Sequence, residues 1–348
     1  MNVGTAREAA KEWVLGIAAR EAGFRGAYFS GSVAALSEEV LLPPASDIDI
    51  MVVTDRAEAL PKLGKFLYRG ALLEVSYVPL SQLASPEDVL ADYHLAGGFR
   101  RDTVIADPTG HLHELYALVS DRFAELEWVR RRCGHARRRV EGGLSSLSPA
   151  LPLHDLVTSW LFPTGVTTHV LLVAALRNPT IRLRYLAVRD VLTDYGRSAF
   201  YTELLGLLGC LHFTPQRTEH HLAELARTFD ATASAAKTPF PFSSDITAPA
   251  RSIAIGGSLE LIRSGSHREA IFWIAATFAR CHKILAADAP QEVQRLHLPA
   301  FEALLADLGL ESPGAIMERA REAIAFLPRL DECTEAILAA NPDITAKT

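Results

Sequence analysis

Asp47 and Asp49, in the stretch Ser46-Asp47-Ile48-Asp49, are the residues of this 348-residue chain whose types and spacing point most directly to chemistry. They lead into Ile50-Met51-Val52-Val53, a run with strand character. Side chains alternate across a strand, so both carboxylates leave from one face while Ile48 and Ile50 face the other. Two anionic oxygen groups a few ångströms apart repel unless a cation lies between them. Mg²⁺ takes oxygen ligands and keeps positions open for substrate phosphates. A third acid, Glu74, stands in Ala71-Leu72-Leu73-Glu74-Val75-Ser76-Tyr77-Val78, with Leu73, Val75 and Tyr77 on the opposite face. Upstream, Gly31-Ser32 closes a short apolar run. Residues 27–54 therefore read as strand, Gly-Ser turn, helix, a loop broken by Pro43-Pro44, and strand.

Gly-Ser, a spacer, Asp-x-Asp on a strand and an acid on a neighbouring strand together resemble the nucleotidyltransferase superfamily that includes DNA polymerase β. Asp-x-Asp alone is weak, and Gly-Ser is weaker; the ordered trio is much more specific. Ser46-Asp47-Ile48-Asp49 and Leu73-Glu74-Val75-Ser76 are similar to segments of the aminoglycoside 3″-adenylyltransferases. The resemblance covers roughly the first hundred residues. It implies that Asp47 and Asp49 bind Mg²⁺, that Gly31 and Ser32 hold the terminal phosphates of ATP, and that Glu74 is either a third metal ligand or the general base. The aminoglycoside enzymes use this Glu as base. The spacer of 14 residues between Ser32 and Asp47 is slightly longer than usual, with the loop at 41–45 absorbing the excess.

Charge narrows the acceptor. The net formal charge is −6. Residues 1–130 hold 12 Lys and Arg against 19 Asp and Glu, which leaves the rest of the chain close to neutral. A protein gripping a long nucleic acid shows a strong basic footprint. This balance argues for a small acceptor, with cationic ones favoured. The N-terminus is polar and unlike a signal peptide. The best apolar run, at 166–176, falls short of membrane-spanning length. Cys133, Cys210, Cys281 and Cys333 are scattered and read as reduced core thiols. The expectation is a cytoplasmic protein.

The elements that must position the acids follow from periodicity and punctuation. Thr5-Ala6-Arg7-Glu8 has the form of a capping box, with Gly23 as the stop. A strand is expected at 27–30, a helix at 54–64, and a hairpin of 66–69 with 72–78 around Gly70. Ser85-Pro86-Glu87-Asp88 starts a helix, and 103–106 is a short strand. Beyond Gly110 strand signals stop. Helices are expected at 111–147 (with a break near Cys133-Gly134), 153–176, 179–194, 199–208 and 218–229. After a loop or mobile linker at 230–250 come further helices at 251–262, 268–285, 289–308 and 314–339. No fixed repeat period is present. The fold class is α+β: a nucleotidyltransferase-type mixed sheet with helices at 1–125, followed by a C-terminal helical bundle at 126–348 that contributes to nucleotide and substrate binding.

Other constellations carry less. Arg130–132 and Arg137–139 read as a solvated helix face balanced by Glu125, Glu127 and Glu141. Related transferases bring basic residues of the second domain to the triphosphate, and Arg182 and Arg184 are the candidates for this. His111 and His113 lie two apart on a helix, which turns the rings away from one another, so no zinc site is assigned. Trp160, Phe162 and Trp273 read as core rather than as a base-stacking platform.

The expected activity is a Mg²⁺-dependent transfer of AMP from ATP to a hydroxyl of a small, aminoglycoside-like molecule, with release of pyrophosphate. Antibiotic resistance is one setting for it. The alternatives are a protein adenylyltransferase of the antitoxin kind, acting on a Tyr of a partner protein, and a nucleotide-binding regulator without turnover.

Overall fold

Asn2 starts the first helix. Its side-chain oxygen accepts a hydrogen bond from the Thr5 amide at 2.8 Å, and α1 spans Val3–Gly16. The helix begins earlier than a Thr5 cap would place it. The Val3 and Gly4 amides find partners outside the helix, in the carbonyls of Val40 and Glu38 at 2.9 and 3.0 Å, so the extra residues leave no orphan donors. The computed structural model describes residues 1–43, 45–58 and 60–346. Pro44 of the Pro43-Pro44 break and Ala59 of the helix expected at 54–64 lie outside the described residues.

Five strands follow: β1 (Phe24–Ser30), β2 (Ile48–Thr54), β3 (Gly64–Tyr68), β4 (Ala71–Pro79) and β5 (Val104–Ala106). Their order across the sheet is β3-β4-β2-β1-β5. β2 and β4 run parallel, and the other pairs are antiparallel. The β3–β4 hairpin turns on Arg69 and Gly70, both at positive φ (48° and 83°), the conformation a two-residue turn of this hand requires. On one face, Trp13, Ala6, Ala10 and Val14 of α1 form a core with Ile48, Ile50, Val52, Leu73 and Val75. The acids of β2 and β4 therefore project from the other face.

Two expected helices are absent here. After Gly31-Ser32 there is only a 3₁₀ turn, Val33–Ala35. Arg7 donates to the carbonyls of Val33 and Leu36 at 2.7 and 3.0 Å, and Arg101 to that of Ala35 at 3.3 Å. These side-chain contacts hold the short turn, whose Val33 carbonyl also accepts from the Leu36 amide at 3.1 Å. The described residues of 54–64 are not helical either. β2 continues to Thr54, and Pro61 denies an interior helix its hydrogen bond. Ser85 caps α2 (Pro86–Ala91) by accepting from Asp88 N–H.

The chain divides into two compact units, Met1–Arg132 with the stretch from Asp343 onward, and Cys133–Pro342. The helical run expected at 111–147 is two helices, α3 (His111–Arg122) and α4 (Leu126–Ser145). The break falls at 123–125 rather than at Cys133-Gly134. There the backbone of Thr345 pairs with Ala124 and Leu126, both at 3.0 Å, a partner that local sequence does not reveal.

The second unit holds α5 (Leu153–Ala174), α6 (Arg184–Asp194), α7 (Ser198–Leu208), α8 (Pro215–Ala235), α9 (Gly257–Arg263), α10 (His267–Asp288), α11 (Gln291–Leu308), α12 (Pro313–Ala325) and α13 (Leu327–Ala340). α8 runs on to Ala235, through residues read as loop, because Phe229 and Thr232 are buried along it and a helix keeps them on the packed side. Residues 236–251 are irregular but anchored: Asp245 pairs with Arg280 at 2.8 Å, and Phe240 stacks on Phe242. α5 and α10 are long and apolar enough to cross a membrane by length and composition, unlike the shorter unbroken run that the sequence offered. Of their most apolar windows, 72% and 78% are buried inside the bundle, so packing accounts for that character.

Candidate functional site

Strand register builds the site. Ser30 on β1 opposes Asp49 on β2, Asp49 is beside Glu74 on β4, and Glu74 opposes Lys65 on β3. Residues in register share a face of the sheet, so four strands contribute one row: Ser30, Asp49, Glu74, Lys65. Asp47 immediately precedes β2, two residues before Asp49, and joins the same face. One ligand oxygen from each of Asp47, Asp49 and Glu74 lies within 4.8 Å of the others. Unit like charges at such separations repel by about 3 to 4 kcal/mol per pair at an effective dielectric of ~20.

Gly31 is required beside them for two reasons. Its φ is +70°, and an added Cβ would stand 1.8 Å from Asp49 Oδ2. Any side chain at 31 would occupy the space of the carboxylate, so the bare backbone of the turn lies directly against Asp49. Ser32 follows, exposed and in the right-handed helical region. The expected support of a full helix behind Ser32 is replaced by the short turn that Arg7 and Arg101 hold.

Two lysines complete the cluster, and the sequence reading did not include them. Lys65 Nζ lies 2.8 Å from Glu74 Oε2 and 3.3 Å from Asp47 Oδ2, with 7% of its side chain exposed. Lys62 pairs with Glu74 Oε1. The signal for Lys65 was present. A hairpin turning at Arg69-Gly70 pairs Tyr68 with Ala71, and counting back along both strands puts Lys65 opposite Glu74.

Arg182 is half-buried in the turn before α6. Arg184 is 2% exposed; it donates to the Ile181 carbonyl at 2.8 Å and lies 4.0 Å over the Phe272 ring. That guanidinium is committed to packing within the helical unit. Of the arginine-rich stretch, Arg131 pairs with Glu127 and Arg137 with Glu141, each at 2.7 Å, as a balanced helix face does. Arg132 departs from that reading: it is buried and donates to the Leu90 carbonyl at 3.0 Å. His111 bonds the Leu83 carbonyl and His113 bonds Asp107, so the two rings share no partner. Trp160 and Trp273 are buried in the bundle.

Oxygen donors converging from two adjacent parallel strands suit a hard divalent cation, and no other group of three acids, histidines or cysteines among the described residues approaches so closely. Comparison with known protein families and with curated proteins finds no match to this chain.

Proposed function

We propose that this protein is a Mg²⁺-dependent nucleotidyltransferase that moves AMP from ATP to a hydroxyl of a small molecule. The observation that carries the reading is the convergence of Asp47, Asp49 and Glu74 within 4.8 Å, with the Gly31 turn packed on Asp49. The donor set fits Mg²⁺, which Asp47 and Asp49 would hold. When bound, the ion supplies positive charge to the phosphate oxygens. Ser32 and the turn at Gly31 bind the terminal phosphates, and the exposure of Ser32 leaves its hydroxyl accessible. Glu74 takes the proton of the acceptor hydroxyl as that oxygen bonds to the α-phosphorus. The bond from the α-phosphorus to the bridging oxygen breaks, and pyrophosphate leaves with its electron pair. Most of the rate comes from positioning and charge stabilisation. Arg184 is left out of this assignment because its side chain is buried, and Arg182 has no observation that ties it to the cluster. The acidic first third of the chain favours cationic, aminoglycoside-like acceptors. All four cysteines are buried free thiols, which supports a reducing, cytoplasmic setting.

Calorimetry of ATP binding with and without Mg²⁺ tests the reading. We expect Mg²⁺-dependent binding that is lost in Asp47→Asn combined with Asp49→Asn. Equal binding without Mg²⁺ and without both acids would overturn it.

A further inference from the structure

Lys65 is out of place in a site that only binds metal. Its side chain is more than nine-tenths buried, and its ammonium touches two of the three acids, Asp47 and Glu74. A second ammonium, that of Lys62, sits on the other oxygen of Glu74. Both oxygens of Glu74 are therefore held by lysines. A divalent cation held by Asp47 and Asp49 would share Asp47 with the Lys65 ammonium and stand close to its positive charge, in a site partly closed to water, where such repulsion is strong. The two cations compete for Asp47.

We infer that Lys65 is the resident counter-cation of the acidic cluster: it holds the carboxylates together in the empty site, gives way when Mg²⁺ enters with the nucleotide, and then serves as a phosphate-binding cation. This rests on the nucleotidyltransferase reading above. The lysine side chain suits such an exchange. It carries a compact charge on a flexible stem of four carbons and binds phosphate as a point charge. β3 is an edge strand, and Lys65 sits within its ladder to β4, opposite Glu74, so the stem can reorient from a backbone held by that pairing. One consequence is that metal and nucleotide bind cooperatively. Free Mg²⁺ has to displace the ammonium with nothing to receive it, whereas Mg²⁺ arriving with ATP brings phosphate oxygens that do.

The test is calorimetric titration of Mg²⁺ alone, and of Mg²⁺ with a non-hydrolysable ATP analogue, into the parent protein, Lys65→Met and Lys65→Gln. Removing the competitor should tighten binding of Mg²⁺ alone on the order of tenfold, and removing the phosphate contact should weaken binding of the analogue by a similar factor. The opposite signs are the signature, because a purely structural lysine would lower both affinities together. Gln keeps a polar group in the buried position and covers the case in which Met does not fold. Parent-like or weaker Mg²⁺ binding in the folded variants, with Mg²⁺-dependent analogue binding intact in the parent, overturns this inference and leaves the proposed function standing. Absence of metal and analogue binding in every protein overturns both.

Discussion

Buried charge is handled in opposite ways by the two units. In the helical unit several buried or half-buried charges face an opposite charge or an aromatic ring. Arg280 pairs with Asp245 and lies about 5 Å from the rings of Phe162, Phe242 and Trp273. Arg189 and Tyr201 both bond Glu269 Oε1 at 2.7 Å, and Lys283 pairs with Asp155 at 2.6 Å. These arrangements neutralise charge that folding has buried. In the sheet unit three acids converge on one spot; the register that brings them together also brings Lys65, and Lys62 joins from the segment before β3. A cluster of like charges costs stability, and packing alone would be served better by apolar residues on that face. The difference separates polar groups that serve the fold from a cluster that calls for a ligand.

Glu74→Gln keeps the size of the side chain and one of its two lysine contacts but cannot take a proton. Turnover should fall by a factor of ~10² to 10⁴, while affinity for Mg²⁺ with ATP changes little. Calorimetry beside a pyrophosphate-release assay reads both. If affinity collapses with turnover, Glu74 is a metal ligand first.

In the helical unit the expected effect is on stability. Arg280→Ala removes the ion pair to half-buried Asp245 and the cation between the rings of Phe162, Phe242 and Trp273, and should cost about 3 to 5 kcal/mol in denaturant unfolding. Metal binding by the folded variant should stay at the parent level. A loss of metal binding under folding conditions would mean that the two kinds of buried charge are not separate in role.

A smaller effect comes from pH. Burial, with His154 and His297 nearby, pushes the His282 imidazole down to about 4. An unfolded histidine titrates near 6.5, so between these values the unfolded chain binds more protons than the folded one. The contribution is fully present above about pH 6.5 and is lost as pH falls toward 4, for about 3 kcal/mol in all. His282→Phe, which keeps a ring in the stack with Phe278 and Phe301, should flatten the acid limb of the stability profile. An equally steep limb in the variant would assign the sensitivity to other groups.

How far these features were legible in the sequence follows from the range of the interactions that set them. Strand alternation placed Asp47 and Asp49 on one face, and the Gly70 turn fixed the hairpin, because both are local patterns. Ser85-Pro86 marked the start of α2 for the same reason. Where a helix was expected after Ser32 there is a 3₁₀ turn whose carbonyls accept from Arg7 and Arg101, both distant in sequence and invisible to a local pattern. The break before α4 depends on Thr345, more than two hundred residues downstream. Arg184 was a candidate because related transferases bring basic residues of the second domain to the triphosphate, and nothing local signals that Phe272 covers its guanidinium. Lys65 was readable from hairpin register but needed the pairing counted through to Glu74.

The proposed function stands or falls on whether Asp47 and Asp49, beside Glu74, hold a divalent cation. Mn²⁺ replaces Mg²⁺ at oxygen sites and is counted directly by electron paramagnetic resonance of the free ion. With a non-hydrolysable ATP analogue present, the parent protein and Arg280→Ala should each remove Mn²⁺ from solution saturably, and Asp47→Asn combined with Asp49→Asn should not. Saturable Mn²⁺ binding of equal strength in that double variant would contradict the account.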